Sequence, residues 1–218
     1  MTESEKKSVK ETINPDLYHV RLSNQLSDSI LNYFTMSVCL FFYGCNCAEI
    51  LIIKEKDDEN DKVVDKTLSL KINIIFISGI IQILLGIFDW YKGKSLTLLS
   101  NILFGILFVS WYIKYKESPN QNNIKNEKYE GIFYILFIVI TLSMIIGAKN
   151  KGPLYSINYL TLVVAFVFVV VYIYADVSWA EKVSGWAFIV CGGLFWITGL
   201  LRIINNQFLN KRFFFVKE

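Results

Sequence analysis

The sequence predicts an all-α membrane protein with six transmembrane helices. Its 218 residues are 54% hydrophobic and only 19% charged, which is too apolar for an ordinary soluble domain. The apolar residues occur in six long blocks, each near the length of about 20 residues with which a helix crosses a bilayer. The chain has three prolines, so these blocks are mostly free of residues that break helices.

The six blocks define the domain organisation. The predicted spans are Ile30–Ile53, Lys71–Trp90, Ser95–Ile113, Gly131–Ala148, Tyr155–Ala175 and Val183–Ile204. We expect an N-terminal tail over residues 1–28, a transmembrane domain over 29–204 and a C-terminal tail over 205–218, which leaves no room for a soluble catalytic domain. The first 28 residues lack an early apolar core, so we expect no cleavable signal peptide.

Positive charges predict the orientation. With an even number of spans both tails lie on one side, together with two short turns that hold Lys92, Lys94, Lys149 and Lys151 but no acid. The loop 54–70 on the other side holds six acids. Because Lys and Arg favour the cytosolic side of a membrane, we expect both termini in the cytosol. The plasma membrane is the default location, and an internal membrane is the alternative.

The first span carries a weakly polar stripe. Its members are Asn32, Cys39 and Asn46, which follow one another at seven-residue spacing and so share one face of a helix. Hydrogen bonds between helices, worth about 1 kcal/mol or less per contact in lipid, are one interpretation of this stripe. The lining of a pore is the other, and the stripe alone does not decide between them.

The second and third spans form a hairpin around the polar turn 91–95. Gln82 and Asp89 lie in one sector of the second helix, at about 100° per residue. Asp89 is near the membrane edge, where a charge costs less than at the bilayer centre. Gly79 and Gly86 form a neighbouring stripe, which allows another backbone to approach closely. One side of this helix therefore suits packing, and the adjacent side suits water or a polar partner.

The last three spans differ in character. The fourth and fifth are almost entirely apolar, so we interpret them as packing or lipid-facing helices. On the sixth, Cys191, Thr198, Arg202 and Asn205 fall on one face. An arginine in or near a span is a functional candidate by default, but Arg202 is also close enough to the end of its span to reach the lipid headgroups. Both interpretations stay open.

The sequence contains no motif for enzyme chemistry. It has no Walker loop, nucleotide fingerprint or nucleophile elbow, so we predict neither an enzyme nor a cofactor. The four cysteines lie in predicted spans, where cysteine acts as a small apolar residue, and we expect no metal. No basic face stands out at a net charge of +3, which argues against a nucleic-acid partner. Polar faces on spans one, two, three and six instead indicate a solute path through a pore-containing bundle.

Three blocks carry a resemblance to a known family. The first block begins at Gly79, continues through Gln82 and Gly86, and ends with Asp89-Trp90-Tyr91-Lys92-Gly93. The second is Phe104-Gly105. The third consists of Ser184-Gly185-Trp186 and, further on, Asn205-Asn206-Gln207-Phe208. In order and spacing these blocks resemble the acetate uptake transporter family of six-span monocarboxylate transporters. Two departures mark the chain as a divergent member. Asn14-Pro15 lies too far upstream to match the family's asparagine–proline signature, and Arg202 stands where bacterial members have an acid.

The resemblance implies a pore through each protomer and a homo-oligomer of six protomers in the lipid bilayer. Carried over residue by residue, the pore constriction consists of Tyr33, Phe104 and Leu160, with Leu162 competing for the last position. The implied cargo is a small, acetate-like monocarboxylate, with lactate or propionate as further candidates.

Physical chemistry favours movement of the acid together with a proton. A bare carboxylate loses much of its hydration in an apolar constriction, whereas the protonated acid loses far less. Gln82, Asn101 and Thr198 would line the path, and Arg202 would attract the anion at the cytosolic mouth. Two alternatives remain: a channel for small neutral solutes such as ammonia or urea, and a membrane scaffold or sensor that transports nothing.

Overall fold

The computed structural model describes residues 15–50, 54–56, 63–93, 95–117, 127–147 and 153–207. Over these residues it contains six long helices: α1 (Pro15–Cys47), α2 (Lys66–Tyr91), α3 (Ser95–Glu117), α4 (Glu127–Gly147), α5 (Pro153–Ala175) and α6 (Ser178–Gln207). Two short strands, β1 (Lys54–Lys56) and β2 (Val63–Asp65), lie between α1 and α2 and pair antiparallel, with Lys54 opposite Asp65.

Each of the six helices is long and apolar enough to cross a membrane. The qualifying segments range from 18 residues in α1 and α4 to 27 residues in α6. The prediction of an all-α bundle with six spans is therefore confirmed, and the chain is an integral, multi-pass membrane protein.

The helices form a ring in sequence order. Each packs against its neighbours in the sequence, and α1 closes the ring by packing along α6. Among helices that are neighbours in this ring, α1–α6 and α2–α3 make the most extensive contacts and α3–α4 the least extensive. The inward faces of all six helices thus supply one shared core.

Glycines set the closest approaches between helices. A Cβ atom at Gly79 would lie 3.0 Å from the carbonyl oxygen of Gly105, and one at Gly105 would lie 2.8 Å from the carbonyl oxygen of Gly79. Gly44 of α1 and Gly185 of α6 face each other in the same way, at 2.6 Å and 2.8 Å. The glycine stripe predicted on α2 therefore faces α3, where the two backbones nearly touch.

The first helix differs most from its predicted span. It begins at Pro15, inside the segment predicted as a tail, and it ends at Cys47 rather than at Ile53. Glu49, just after this helix, has a positive φ of 56°, a left-handed conformation that commonly ends helices. An apolar run continues past Cys47 in the sequence, but this backbone turn stops the helix.

The turn between α2 and α3 agrees with its prediction. The helix α2 ends at Tyr91 and α3 begins at Ser95, with Gly93 at a φ of 69° between them. Several other predictions concern residues outside the described part of the chain, namely residues 1–14, Lys94, Lys149, Lys151 and residues 208–218. The tails and the orientation in the membrane stay predictions.

Candidate functional site

Most polar side chains of the described core lie near one end of the bundle. This end, the terminal end, is where the membrane span of α1 begins and α6 finishes; the opposite end is the distal end. All six helices contribute buried polar residues there, including Thr141 of α4, and we use the name polar layer for six of these residues: Thr35, Gln82, Asp89, Asn101, Asn158 and Thr198. The layer includes the three path residues predicted from the sequence, Gln82, Asn101 and Thr198.

Gln82 connects α2 to α1. Its amide nitrogen donates to the backbone carbonyl oxygen of Asn32 at 3.1 Å and also to the hydroxyl of Thr35. The Thr35 hydroxyl in turn lies 3.0 Å from the carbonyl oxygen of Leu31 and 3.0 Å from that of Asn32. The helical sector predicted for Gln82 therefore faces the interior. The bond from Gln82 to Asn32 goes to the backbone and not to the side-chain stripe, so both interpretations of that stripe stay open.

Asp89 and Asn101 connect α2 to α3. The amide nitrogen of Asn101 donates to a carboxylate oxygen of Asp89 at 2.8 Å, and both side chains are buried. Asp89 was predicted near the membrane edge, and the structure places it in the core near the end of its helix.

Asn158 and Thr198 connect α5 to α6. The amide nitrogen of Asn158 donates to the Thr198 hydroxyl at 2.8 Å, and that hydroxyl donates to the carbonyl oxygen of Leu194 at 2.8 Å. The thiol of Cys191 donates to the backbone carbonyl of Asn158 at 3.5 Å. Asn158 was not among the predicted path residues, because α5 is otherwise so apolar. An asparagine within such an apolar span is itself the sequence signal that points to this residue.

Arg202 lies against two tyrosine rings near the end of α6. Its guanidinium carbon is 5.2 Å from the ring centroid of Tyr33 and 5.3 Å from that of Tyr155. The two rings are themselves buried and meet edge to face at 5.7 Å. Both distances are within the range of a cation–π interaction. The charged group of Arg202 therefore packs on α1 and α5 at the terminal end of the bundle.

The three residues predicted to form the constriction occupy different places. Phe104 is fully buried and packs on Phe137, with ring centroids 5.8 Å apart. Tyr33 is also buried, but it packs on Tyr155 and Phe195. Leu160 is 55% exposed on the outer surface of α5, so the structure does not bring it together with the other two.

Leu162 has the burial that a pore-lining leucine needs. It is completely buried in the core, two residues beyond Leu160. Since successive residues of a helix are about 100° apart, a shift of two positions moves a side chain across the helix from the outer surface to the interior. Of the two candidate leucines, Leu162 is thus the one that faces the core, and the place of either in a constriction stays a prediction.

Aromatic side chains fill the distal half of the core. The rings of Tyr43 and Trp111 stack at 3.5 Å, and Phe188 meets both of them edge-on. The indole nitrogen of Trp111 donates to the hydroxyl of Tyr134 at 2.8 Å, and the hydroxyls of Tyr43 and Tyr134 are 3.3 Å apart. This group of four, the aromatic cluster, was not foreseen from the sequence. It joins α1, α3, α4 and α6.

Comparison with known proteins supports the fold. No protein-family model matches the chain, and no curated protein matches it. Among solved structures, the chain is similar to one described as the structure of the bacterial acetate channel SatP, with a TM-score of 0.68 and 17% sequence identity over 83% of this chain and 93% of that one. The chain has the fold of that channel. At this level of identity the similarity establishes the fold, and the family resemblance stays a prediction with respect to cargo and assembly.

Proposed function

We propose that this protein is a membrane channel or transporter for small monocarboxylates, and that the acid crosses an apolar constriction together with a proton. The observation that carries the proposal is the placement of Arg202, whose guanidinium lies against the rings of Tyr33 and Tyr155 at the terminal end. The fold shared with an acetate channel supports it.

Arg202 suits the role of an anion-attracting group. A ring face attracts a cation through its quadrupole but carries no net charge, so the guanidinium keeps its full positive charge for an incoming anion. Its planar array of N–H donors matches the two oxygens of a carboxylate. The polar layer lies at the same end of the bundle, so a solute that enters there meets amides and hydroxyls as well as the rings of Tyr33 and Tyr155.

The constriction is the second part of the proposal. We assign it to Tyr33, Phe104 and Leu162, three buried apolar or aromatic side chains from α1, α3 and α5. An ionised carboxylate among such side chains pays a large desolvation penalty, whereas the undissociated acid is neutral and pays much less. A proton therefore accompanies the acid through this region.

The test is acetate uptake into proteoliposomes by the Arg202→Gln variant. Lys182→Gln is a matched control, because it removes the same charge from the distal end of α6, where Lys182 forms an exposed ion pair with Glu49 at 3.1 Å. We expect Arg202→Gln to raise the half-saturating acetate concentration by about tenfold or more, since a hydrogen bond to a charged group is worth about 1.5–3 kcal/mol. Lys182→Gln should leave it unchanged.

Two results would contradict the proposal. If wild type and Arg202→Gln are both monodisperse and have the same half-saturating acetate concentration, Arg202 does not attract the anion. Acetate uptake by the wild type no faster than in empty liposomes would overturn the function itself, and it would favour the scaffold alternative.

A further inference from the structure

Three buried amides of the polar layer leave their oxygens without a partner. These atoms are Gln82 Oε1, Asn101 Oδ1 and Asn158 Oδ1, and the three residues are at most 2% exposed. A buried acceptor without a hydrogen bond costs about 1–3 kcal/mol. Such groups are normally satisfied by protein, water or a ligand. Together with Asn32 Oδ1, which also lacks a partner, they make four unsatisfied acceptors near one end of the described core.

The neighbours of Gln82 and Asn101 fix which end of each amide is which. The amide group of Gln82 faces the backbone carbonyl oxygen of Asn32 at 3.1 Å, and a carbonyl oxygen can only accept. The amide nitrogen of Asn101 donates to a carboxyl oxygen of Asp89 at 2.8 Å. In both cases the nitrogen faces the neighbour, so the oxygen is the atom left over.

The orientation of the Asn158 amide follows from the hydrogen bonds of its neighbour Thr198. The hydroxyl of Thr198 has a single hydrogen, and the carbonyl oxygen of Leu194 receives it at 2.8 Å. The hydroxyl can therefore only accept from Asn158, which places the amide nitrogen of Asn158 against it at 2.8 Å. All three amides thus present acceptor oxygens whose orientation is set by the protein itself.

A ligand for these oxygens must donate hydrogen bonds and carry no charge. Apart from Asp89, the polar layer consists of amides and hydroxyls, which carry no charge. A cation would have to compete with Asn101 for the Asp89 carboxyl, and it would lose its hydration among neutral groups at a high desolvation cost. An anion would find acceptors where it needs donors.

We propose that the polar layer is a binding site for small neutral hydrogen-bond donors, and that primary amides of the size of acetamide are cargo in addition to carboxylic acids. The NH₂ group of a primary amide supplies two hydrogen-bond donors for the amide oxygens that lack a partner, which we call the orphan oxygens. The methyl group of acetamide suits the rings of Tyr33 and Phe195. The inference shares with the proposed function only the requirement for a solute path through the bundle.

The test is acetamide flux into proteoliposomes, measured by stopped-flow light scattering after an osmotic step at pH 7.5 and pH 5. Acetamide does not ionise in this range, so we expect protein-dependent flux of equal size at both values. Methylammonium is the cationic probe and should show no protein-dependent flux. Acetamide flux no greater than in empty liposomes would show that the oxygens hold water only, and protein-dependent methylammonium flux would overturn the preference for a neutral ligand.

Asn158→Leu tests the site itself. The substitution removes one orphan oxygen at similar volume and leaves the bond from Thr198 to Leu194 intact, so we expect acetamide flux to fall by about tenfold, which equals about 1.4 kcal/mol. Thr161→Val is the control on the same helix, because the Thr161 hydroxyl bonds only its own helix at Ile157. Equal acetamide flux in wild type and a folded Asn158→Leu variant would overturn the site. If the variant does not fold, the acetamide flux of the wild type decides the question.

The two proposals fail separately. Acetate uptake without acetamide flux would overturn the amide site and keep the monocarboxylate function. Acetamide flux without acetate uptake would overturn the monocarboxylate function and support the donor site.

Discussion

Replacing Phe104 by alanine tests the constriction directly. The ring is fully buried and packs on Phe108 at 6.5 Å and on Phe137 at 5.8 Å, so its removal opens space that these neighbours fill only in part. In a fitted apolar site one methylene group is worth about 1–3 kcal/mol, which is about 10–200-fold in rate. We therefore expect the ratio of acetate flux to butyrate flux to fall by about tenfold or more in Phe104→Ala, while acetate flux rises.

The assay compares acetate, propionate and butyrate uptake by proteoliposomes that contain equal amounts of wild type, Phe104→Leu or Phe104→Ala. Phe104→Leu is the graded control, since it keeps much of the apolar volume and should give an intermediate selectivity. A Phe→Ala change in a core costs about 3–5 kcal/mol, so thermal unfolding and size-exclusion profiles must accompany the flux data. A monodisperse Phe104→Ala variant with unchanged flux and unchanged selectivity would refute the assignment of Phe104 to the constriction.

Two further predictions use matched positions. Leu162→Ala should relax the same acetate-to-butyrate selectivity in the uptake assay, whereas Leu160→Ala on the outer surface should not; the reverse outcome would restore the original assignment. Gly105→Ala should lower the thermal unfolding temperature, because overpacking against the Gly79 backbone costs about 1–3 kcal/mol, while Gly193→Ala should leave it nearly unchanged because nothing lies within 4 Å of its Cβ position. Equal unfolding temperatures for these two variants would contradict the close packing of α2 on α3.

The fold was predictable from the sequence because long apolar blocks determine membrane helices almost by length alone. The inward placement of Gln82 and Thr198 was predictable too, since polar residues at helical spacing in an apolar span avoid lipid. The start of α1 at Pro15 was not, because its first residues are polar and leave no hydropathy signal.

The finer details of the core were hidden for a physical reason. In a membrane the outer surface of a helix is as apolar as the interior, so hydrophobic periodicity does not separate the two. Leu160 and Leu162 look equivalent in the sequence, and only packing distinguishes them. The aromatic cluster around Trp111 and Tyr134 was missed for the same reason, because aromatic residues occur on both faces of the spans.

The central claim is that this bundle moves small monocarboxylates together with a proton. The most direct measurement is uptake of labelled acetate into proteoliposomes with and without an inward proton gradient, in the presence and absence of unlabelled propionate or lactate. We predict uptake that the gradient stimulates and that the unlabelled acids suppress. Uptake at the same rate with and without the gradient would contradict the movement of a proton with the acid. Uptake equal to that of empty liposomes would contradict the monocarboxylate function.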